Sequence, residues 1–315
     1  MDVSVVIPLY NKAPHVAAAI RSALEQTLPP REVIVVDDGS TDGGLTIARA
    51  VDDPRVTVLT RSPPGPGGYA ARNLGIERAS GEWIAFLDAD DLWRPHHLAD
   101  MAAAVAACAE PVGCVFTRFE IKQAERDRVY PVAEDILTPG RAMGLVPIVR
   151  AWLATKLCPF WTGACAFRRS VLIDAGLFPA GRARRGGDKD LWLRAAARAK
   201  TAFAPEVSAE FHQDTVNRVT TSTAHTDLPV IADTIRALLP AATREERRLL
   251  RALSNQEIAL YARYASGARM RVGRQFLSNL YLPQGAVEAV TIMALQVAGP
   301  LAAPLRTGWR RSSAA

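Results

Sequence analysis

Gly81-Glu82-Trp83-Ile84-Ala85-Phe86-Leu87-Asp88-Ala89-Asp90-Asp91 starts as a strand and ends in acids. Consecutive apolar side chains without alternation describe a strand covered on both faces, as in the parallel sheet of an α/β fold. Three earlier apolar runs, near 3–7, 33–36 and 56–59, repeat the pattern with helical segments between them. In the first such segment Val16, Ile20, Ala23 and Leu24 fall at i, i+4, i+7 and i+8, one helix face. Strand and helix in alternation predict a mostly parallel sheet flanked by helices.

The residues that follow these strands are informative. The first run ends in Pro8-Leu9-Tyr10-Asn11, the second in Asp37-Asp38-Gly39-Ser40, the fourth in Asp88-Ala89-Asp90-Asp91. Ligands of open α/β sheets bind outside the carboxyl ends of the strands, so polar and acidic groups gather at one edge. In extended chain Asp88 and Asp90 point the same way and Ala89 points away. Two carboxylates on one side suit Mg²⁺ or Mn²⁺, hard ions completed by waters and substrate phosphates, or they divide between a metal and a ribose. Taken alone the pair is equally a solvated strand end, and Asp91 can cap a following helix. Ser40, Thr41 or Asp42 read as caps of the next helix, leaving Asp38 to accept a hydrogen bond from a base N–H. Gly65-Pro66-Gly67-Gly68 is a glycine-rich loop running into a helix that carries Arg72. Helix N-termini favour anions, and an arginine there can pair with a phosphate.

At 315 residues the chain holds an α/β domain and an appendage. A hydrophobic content of 49% excludes a disordered chain, and the net charge of +6 suits nucleotide phosphates, acidic lipids or nucleic acid without choosing among them. Cys108, Cys114, Cys158 and Cys165 form no C-x-x-C pair and read as small apolar residues in a reducing compartment. No secretory leader precedes the strand-like run Val3–Ile7, and a cytoplasmic location is the expectation. Further along, the pattern predicts a helix from about 95 to 108 opened by Pro95, a strand over 112–122, a loop over 123–143, a strand over 163–168, a helix over 188–198 and strand pieces over 201–211. After about 226 helices dominate, so the boundary falls between 1–225 and a helical extension, 226–315. Residues 289–305 are uncharged and mostly apolar, and Arg306, Trp309, Arg310 and Arg311 follow. Gln296, Gly299, Pro300 and Pro304 interrupt a run already short of the roughly 20 residues that span a bilayer. It reads as an interfacial anchor at the inner face of the cell membrane or as a packed terminal helix.

The ordered motifs V-S-V-V-I-P-L-Y-N, V-V-D-D-G-S-T-D, A-A-R-N-L-G-I and G-E-W-I-A-F-L-D-A-D-D closely resemble family 2 glycosyltransferases of the GT-A fold, over roughly residues 1–220. The resemblance implies inverting transfer from a nucleotide-sugar donor, UDP-linked in most of the family, to a saccharide or lipid-linked acceptor in cell-surface polysaccharide or glycolipid synthesis. It implies Pro8, Tyr10 and Asp38 around the nucleotide base, Arg72 near the donor, Asp88 on the ribose or a metal water, and Asp90 on Mn²⁺ or Mg²⁺. Gly186-Gly187-Asp188-Lys189-Asp190-Leu191-Trp192-Leu193-Arg194 resembles the family's E-D-x-D-L-W-x-R segment, which makes Asp188 the general base. Gly187 stands where the family often has Glu. As a helix-terminal acid, Asp188 can equally be a cap. Phe160-Trp161-Thr162-Gly163 resembles an acceptor-lining segment, with Trp161 on a sugar face or in the core, and His212 resembles a histidine that in some relatives approaches the metal or diphosphate, or is a structural or surface residue. No nucleic-acid partner is expected. A nucleotide-sugar-binding scaffold without activity and a sugar nucleotidyltransferase are the alternatives.

Overall fold

The computed structural model describes residues 1–215, 227–268 and 270–298. The chain divides into two compact units, Met1–Val219 and Thr220–Ala315.

In the first unit β1 (Val3–Leu9), β2 (Glu32–Asp37), β3 (Val56–Thr60) and β4 (Trp83–Phe86) form a parallel half-sheet in the order β3-β2-β1-β4. Val5 lies level with Val33 on one side and Ala85 on the other. The helices α1 (Val16–Leu24), α2 (Gly44–Arg49) and α3 (Tyr69–Arg78) connect these strands. β1, β2 and β4 are buried nearly throughout, which is why they read as unbroken apolar runs, whereas β3 at the sheet's margin is half-exposed.

Beyond β4 the sheet turns mixed. β8 (Cys165–Arg168) lies antiparallel to β4, and β6 (Cys114–Lys122) antiparallel to β8. β9 (Thr201–His212) runs parallel to β6, and β5 (Leu92–Trp93) caps it antiparallel. β7 (Arg128–Val129) pairs with β6 inside the segment expected to be a loop. Among the described residues the sheet thus holds nine strands. The architecture is the α/β, GT-A-like layering expected from sequence, followed by C-terminal helices.

Two local expectations are corrected. Asp91 caps no helix, because the chain enters β5 and the next helix, α4 (His97–Ala106), starts two residues after Pro95. α2 is entered through Gly43, with φ of 90°, and no side chain caps it. Instead Asp37 accepts from the backbone N–H groups of Gly39 and Ser40, at 3.3 Å each, and Asp42 accepts from Gly44 N at 2.9 Å. The sequence reading also omitted α5 (Leu145–Thr155), whose early Pro147 is tolerated in a first turn.

Below the carboxyl edge an aromatic cluster fixes the site's floor. α6 (Arg169–Asp174) leads to Phe178, and α7 (Gly187–Ala196) carries Trp192. Trp192 stacks on Phe167 at 4.5 Å and 6°, and Phe178 meets the rings of Phe86 and Trp192 edge-on. The buried Asp190 carboxylate accepts from Arg194 Nη2 at 2.7 Å, and the same guanidinium donates to Leu177 O at 2.8 Å. This pair therefore ties α7 to the turn before Phe178.

The second unit is helical: α8 (Ile231–Leu238), α9 (Arg244–Gly267), α10 (Gln275–Ser278) and α11 (Ala286–Ala298). Thr243 and Glu246 close a reciprocal capping box at the start of α9. Ile258, Tyr261, Ala262, Ala265, Phe276 and Ile292 form its core. Asn255 exchanges two hydrogen bonds with the Tyr281 backbone, of 3.0 and 2.8 Å, pinning the approach to α11. No described helix is long and apolar enough to cross a membrane. The part of the apolar stretch beyond 298 lies outside the described residues. Cys114, Cys158 and Cys165 are buried, Cys108 is half-buried, and none is in a disulfide.

Candidate active site

The parallel strands deliver their carboxyl-terminal residues to one edge. Tyr10, Asn11 and Lys12 follow β1, Asp37 and Asp38 end β2, Arg61 follows β3, and Asp88, Asp90 and Asp91 follow β4. The loops after β1 and β2 are laced together. Asn11, held at φ of 51°, accepts from Thr41 N at 2.8 Å, and its own N–H donates to Ser40 Oγ at 3.0 Å.

Asp38 is nearly inaccessible and has both carboxylate oxygens in use. Arg61 Nη1 donates to Oδ1 and Gly65 N donates to Oδ2 at 3.0 Å. Asp38 thereby anchors the start of the glycine-rich loop. Tyr10 is exposed and Pro8 half-buried on the same edge.

Arg72, on the first turns of α3, is buried yet charged. Its Nη2 donates to Asp88 Oδ1, its Nη1 donates to Gly67 O at 2.9 Å, and its Cζ stands 5.7 Å from the centroid of the Phe178 ring. Burial works against the charge, but the Asp88 carboxylate outweighs it and raises the guanidinium pKa. The loop needs its glycines, since Gly67 and Gly68 both take positive φ, 71° and 65°.

Asp90 has different company. Its Oδ2 accepts from Lys12 Nζ at 2.5 Å and from Thr215 Oγ1 at 2.6 Å. Asp91 turns inward and accepts from His212 N at 2.8 Å. Its other oxygen is buried without a hydrogen bond, and burial together with the charges of Asp88 and Asp90 pushes its pKa well above the carboxylate range. The raised pKa favours the uncharged form of Asp91, and Asp88 and Asp90 each face a cation, Arg72 and Lys12. Among the described residues no three His, Cys, Asp or Glu side chains form a complete ion-binding group. The donor set that fits is the two half-buried carboxylates of Asp88 and Asp90, completed by oxygens from a substrate.

Asp188 occupies the first turn of α7, behind Gly186 at φ of 73°, and no side chain caps that helix. Among the described residues its carboxylate makes no hydrogen bond or ion pair, while Asp190 two residues on is buried against Arg194. Its charge is felt by both Tyr69 and Arg72, which places it in the vicinity of the Arg72–Asp88 pair. Gly187 has a steric reason. Its N–H donates to Tyr69 Oη at 2.9 Å, and a Cβ there would lie 2.9 Å from the Tyr69 ring and 2.8 Å from Pro179. A glutamate at 187 would require the Tyr69 ring and Pro179 to shift. Burial, then the Asp188 charge, raises the Tyr69 phenol pKa, so it stays neutral.

Trp161 packs between Phe119 and Phe211, at 4.5 and 5.0 Å, half-buried, with its ring lying against Gly163. The backbone of His212 holds Asp91 and its ring Nε2 stands 3.4 Å from Glu210. Lys12, Arg61, Phe178 and Thr215 were missed from sequence. For Lys12 and Arg61 the signal was available, since each directly follows a parallel strand or its first turn at the ligand edge.

Comparison with known proteins gives one consistent result. The family model of glycosyl transferase family 2 matches residues 4–176. The succinoglycan biosynthesis protein ExoO of Rhizobium meliloti is 46% identical over 101 residues, 32% of this chain and 28% of ExoO. Curated relatives of this kind are matched over 13% to 38% of their own length. The crystal structure of S. aureus TarS 1-349 in complex with UDP-GlcNAc superposes with a TM-score of 0.68 at 16% identity, covering 95% of this chain and 91% of that one. The mannosyltransferase PcManGT from Pyrobaculum calidifontis, in complex with GDP-Man and Mn²⁺, gives 0.54 at 22% identity, covering 95% and 86%. At these identities the two structures speak for the fold.

Proposed function

The chain belongs to glycosyl transferase family 2, and we propose that it moves a sugar from a nucleotide-diphosphate donor, UDP-linked, to an acceptor hydroxyl with inversion at the anomeric carbon. The observation that carries the reading is the pairing of an occupied and an unoccupied acid at one sheet edge. Asp88 and Asp90 are neutralised by Arg72 and Lys12, while Asp188 has no hydrogen-bond or ion-pair partner among the described residues. The first arrangement suits a diphosphate and the second suits a base.

In this reading Asp38, Pro8 and Tyr10 border the nucleotide base, and Arg61 and Gly65 keep Asp38 in place. Asp90, with Asp88 shared between metal and ribose, would hold Mn²⁺ or Mg²⁺. A bound divalent ion supplies positive charge against the departing diphosphate. The acceptor hydroxyl attacks the anomeric carbon and its proton passes to the Asp188 carboxylate. The bond to the nucleoside diphosphate breaks with the electron pair leaving on the phosphate oxygen, next to Arg72. Attack from the face opposite the leaving group inverts the centre.

Residues 1–225 do this work, and 226–315 serve attachment. The ExoO likeness favours a saccharide or lipid-linked acceptor in cell-surface polysaccharide synthesis on the cytoplasmic side, and the UDP-GlcNAc bound to TarS favours a UDP-sugar. The test is a thermal-unfolding panel of nucleotide sugars with and without Mn²⁺. A ligand that binds only the folded state raises the midpoint, so one UDP-sugar should do so in a Mn²⁺-dependent way. No shift with any nucleotide sugar, or diphosphate release from a nucleoside triphosphate in its place, would overturn the reading in favour of a nucleotidyltransferase.

A further inference from the structure

The second unit carries an apolar face with a basic margin. On α11 the exposed residues are Ala286, Val287, Val290, Met293, Ala294 and Val297. They fall at three- and four-residue steps along one side, and none is polar. Exposure reaches 76% at Val287 and 89% at Val297, and Leu282 just before the helix is exposed as well. Ile292 on the opposite side supplies the core contact, so α11 is apolar on both sides. Surfaces of this kind on soluble proteins mark contact sites.

An independent feature lies at the carboxyl half of the same helix. A cavity of about 370 Å³ is lined by Arg271, Val272, Gly273, Arg274 and Gln296. Gln296 on α11 donates to Gly273 O at 3.0 Å and so fixes the rim. Both arginines are exposed, and neither forms an ion pair among the described residues. From Ala268 to the last residue the only acid is Glu288, against Arg269, Arg271, Arg274, Arg306, Arg310 and Arg311.

We propose that α11 lies in the surface of an anionic bilayer with Val287, Val290, Met293 and Val297 among the acyl chains, and that the Arg271–Arg274 cavity takes the phosphate of a lipid headgroup. A helix of 13 residues is about 20 Å long, too short to span but suited to lie in the interface. Arginines beside such a helix are attracted to an anionic surface. A second copy docked on the same face by a two-fold would set these arginines against themselves, which disfavours self-association. The proposal is independent of the donor chemistry.

The experiment is co-sedimentation of the full chain with vesicles of phosphatidylcholine alone or with about a quarter phosphatidylglycerol. Binding is expected to need the anionic lipid and to weaken steeply as salt is raised several-fold, because charge attraction is screened. The combined Val287→Asp, Val290→Asp and Val297→Asp variant should lose roughly tenfold or more in partition. Arg271→Gln with Arg274→Gln should lose a similar factor while keeping the apolar face. All substituted residues are exposed, and an unchanged thermal midpoint checks folding. Val297→Asp alone serves if the combined variant unfolds. Equal binding to both vesicle types, or equal binding by the variants, overturns the proposal. So does a dimer that the valine substitutions dissociate in the absence of vesicle binding, which would make the face an interface between copies.

Discussion

Asp90 and Asp188 differ in what they already hold. Asp90 has a lysine and a hydroxyl on one oxygen, and Asp188 has no protein partner among the described residues. Lys12 is then a resident competitor for any cation that approaches Asp90. Lys12→Ala is expected to tighten Mn²⁺ binding in the absence of donor, read by titration of the free-ion electron spin resonance signal. Unchanged or weaker affinity would show that Lys12 does not compete at Asp90. The motif residues themselves were visible in the sequence, but the extended geometry expected of them is corrected: β4 ends at Phe86, and Asp88–Asp91 is a turn in which Asp91 N donates to Asp88 O at 3.0 Å. Their partners were not visible there. Lys12 reaches Asp90 across 78 positions, and no local pattern encodes that contact. Asp38 was read as available to a base; in the structure its two oxygens are engaged by Arg61 and Gly65, and what a donor would meet there includes Arg61.

At the scale of elements, α7 decides where the base sits. Two acids two residues apart in D-x-D order take opposite roles, because a helix, unlike a strand, turns residues i and i+2 to different sides. Asp190 is buried with Arg194, and Asp188 stays at the half-exposed mouth. Removing one partner of a buried pair strands the other charge, so Asp190→Ala is expected to cost about 3–5 kcal/mol of stability. Chemical denaturation of the variant measures it, and a loss under about 1 kcal/mol would mean that the pair does not hold α7. The strands β1, β2 and β4 were readable because burial on both faces leaves an unmistakable apolar run. β5 and β7 are two residues each and exist only through pairing with β9 and β6, which local sequence does not register. The family's Glu at position 187 is replaced for a reason visible only in three dimensions, the Tyr69 ring packed against the Gly187 backbone.

For the molecule as a whole, one buried imidazole contributes to the dependence of stability on acid. His97 on α4 accepts or donates at 2.8 Å to Ser208 on β9, and burial lowers its pKa to about 3. An unfolded histidine titrates near 6.5. Below that pH the unfolded chain binds a proton that the folded chain refuses, so stability is complete above about pH 6.5 and falls as pH drops toward 3. The slope from this residue is at most about 1.4 kcal/mol per pH unit. His97→Gln is expected to flatten the fall in unfolding midpoint between neutral and mildly acidic pH, and parallel curves for variant and wild type would contradict this. The loss of strand patterning after about 226 pointed to a helical extension, and the structure divides the chain into Met1–Val219 and Thr220–Ala315. The apolar outer face of α11 was only half legible, since an uncharged run is plain in the residues but the side of it that the core takes is not.

The central claim is that Asp188 takes the acceptor's proton while the strand-edge acids and Arg72 hold the donor. The direct measurement is donor affinity and turnover of Asp188→Asn side by side, with calorimetry for the first and nucleoside diphosphate release for the second. Loss of a general base costs on the order of 10²–10⁴ in rate, so kcat is expected to fall by that factor with the donor Kd unchanged within about twofold. Turnover near the wild-type rate would contradict the account, and so would a loss of donor binding that matches the loss of turnover.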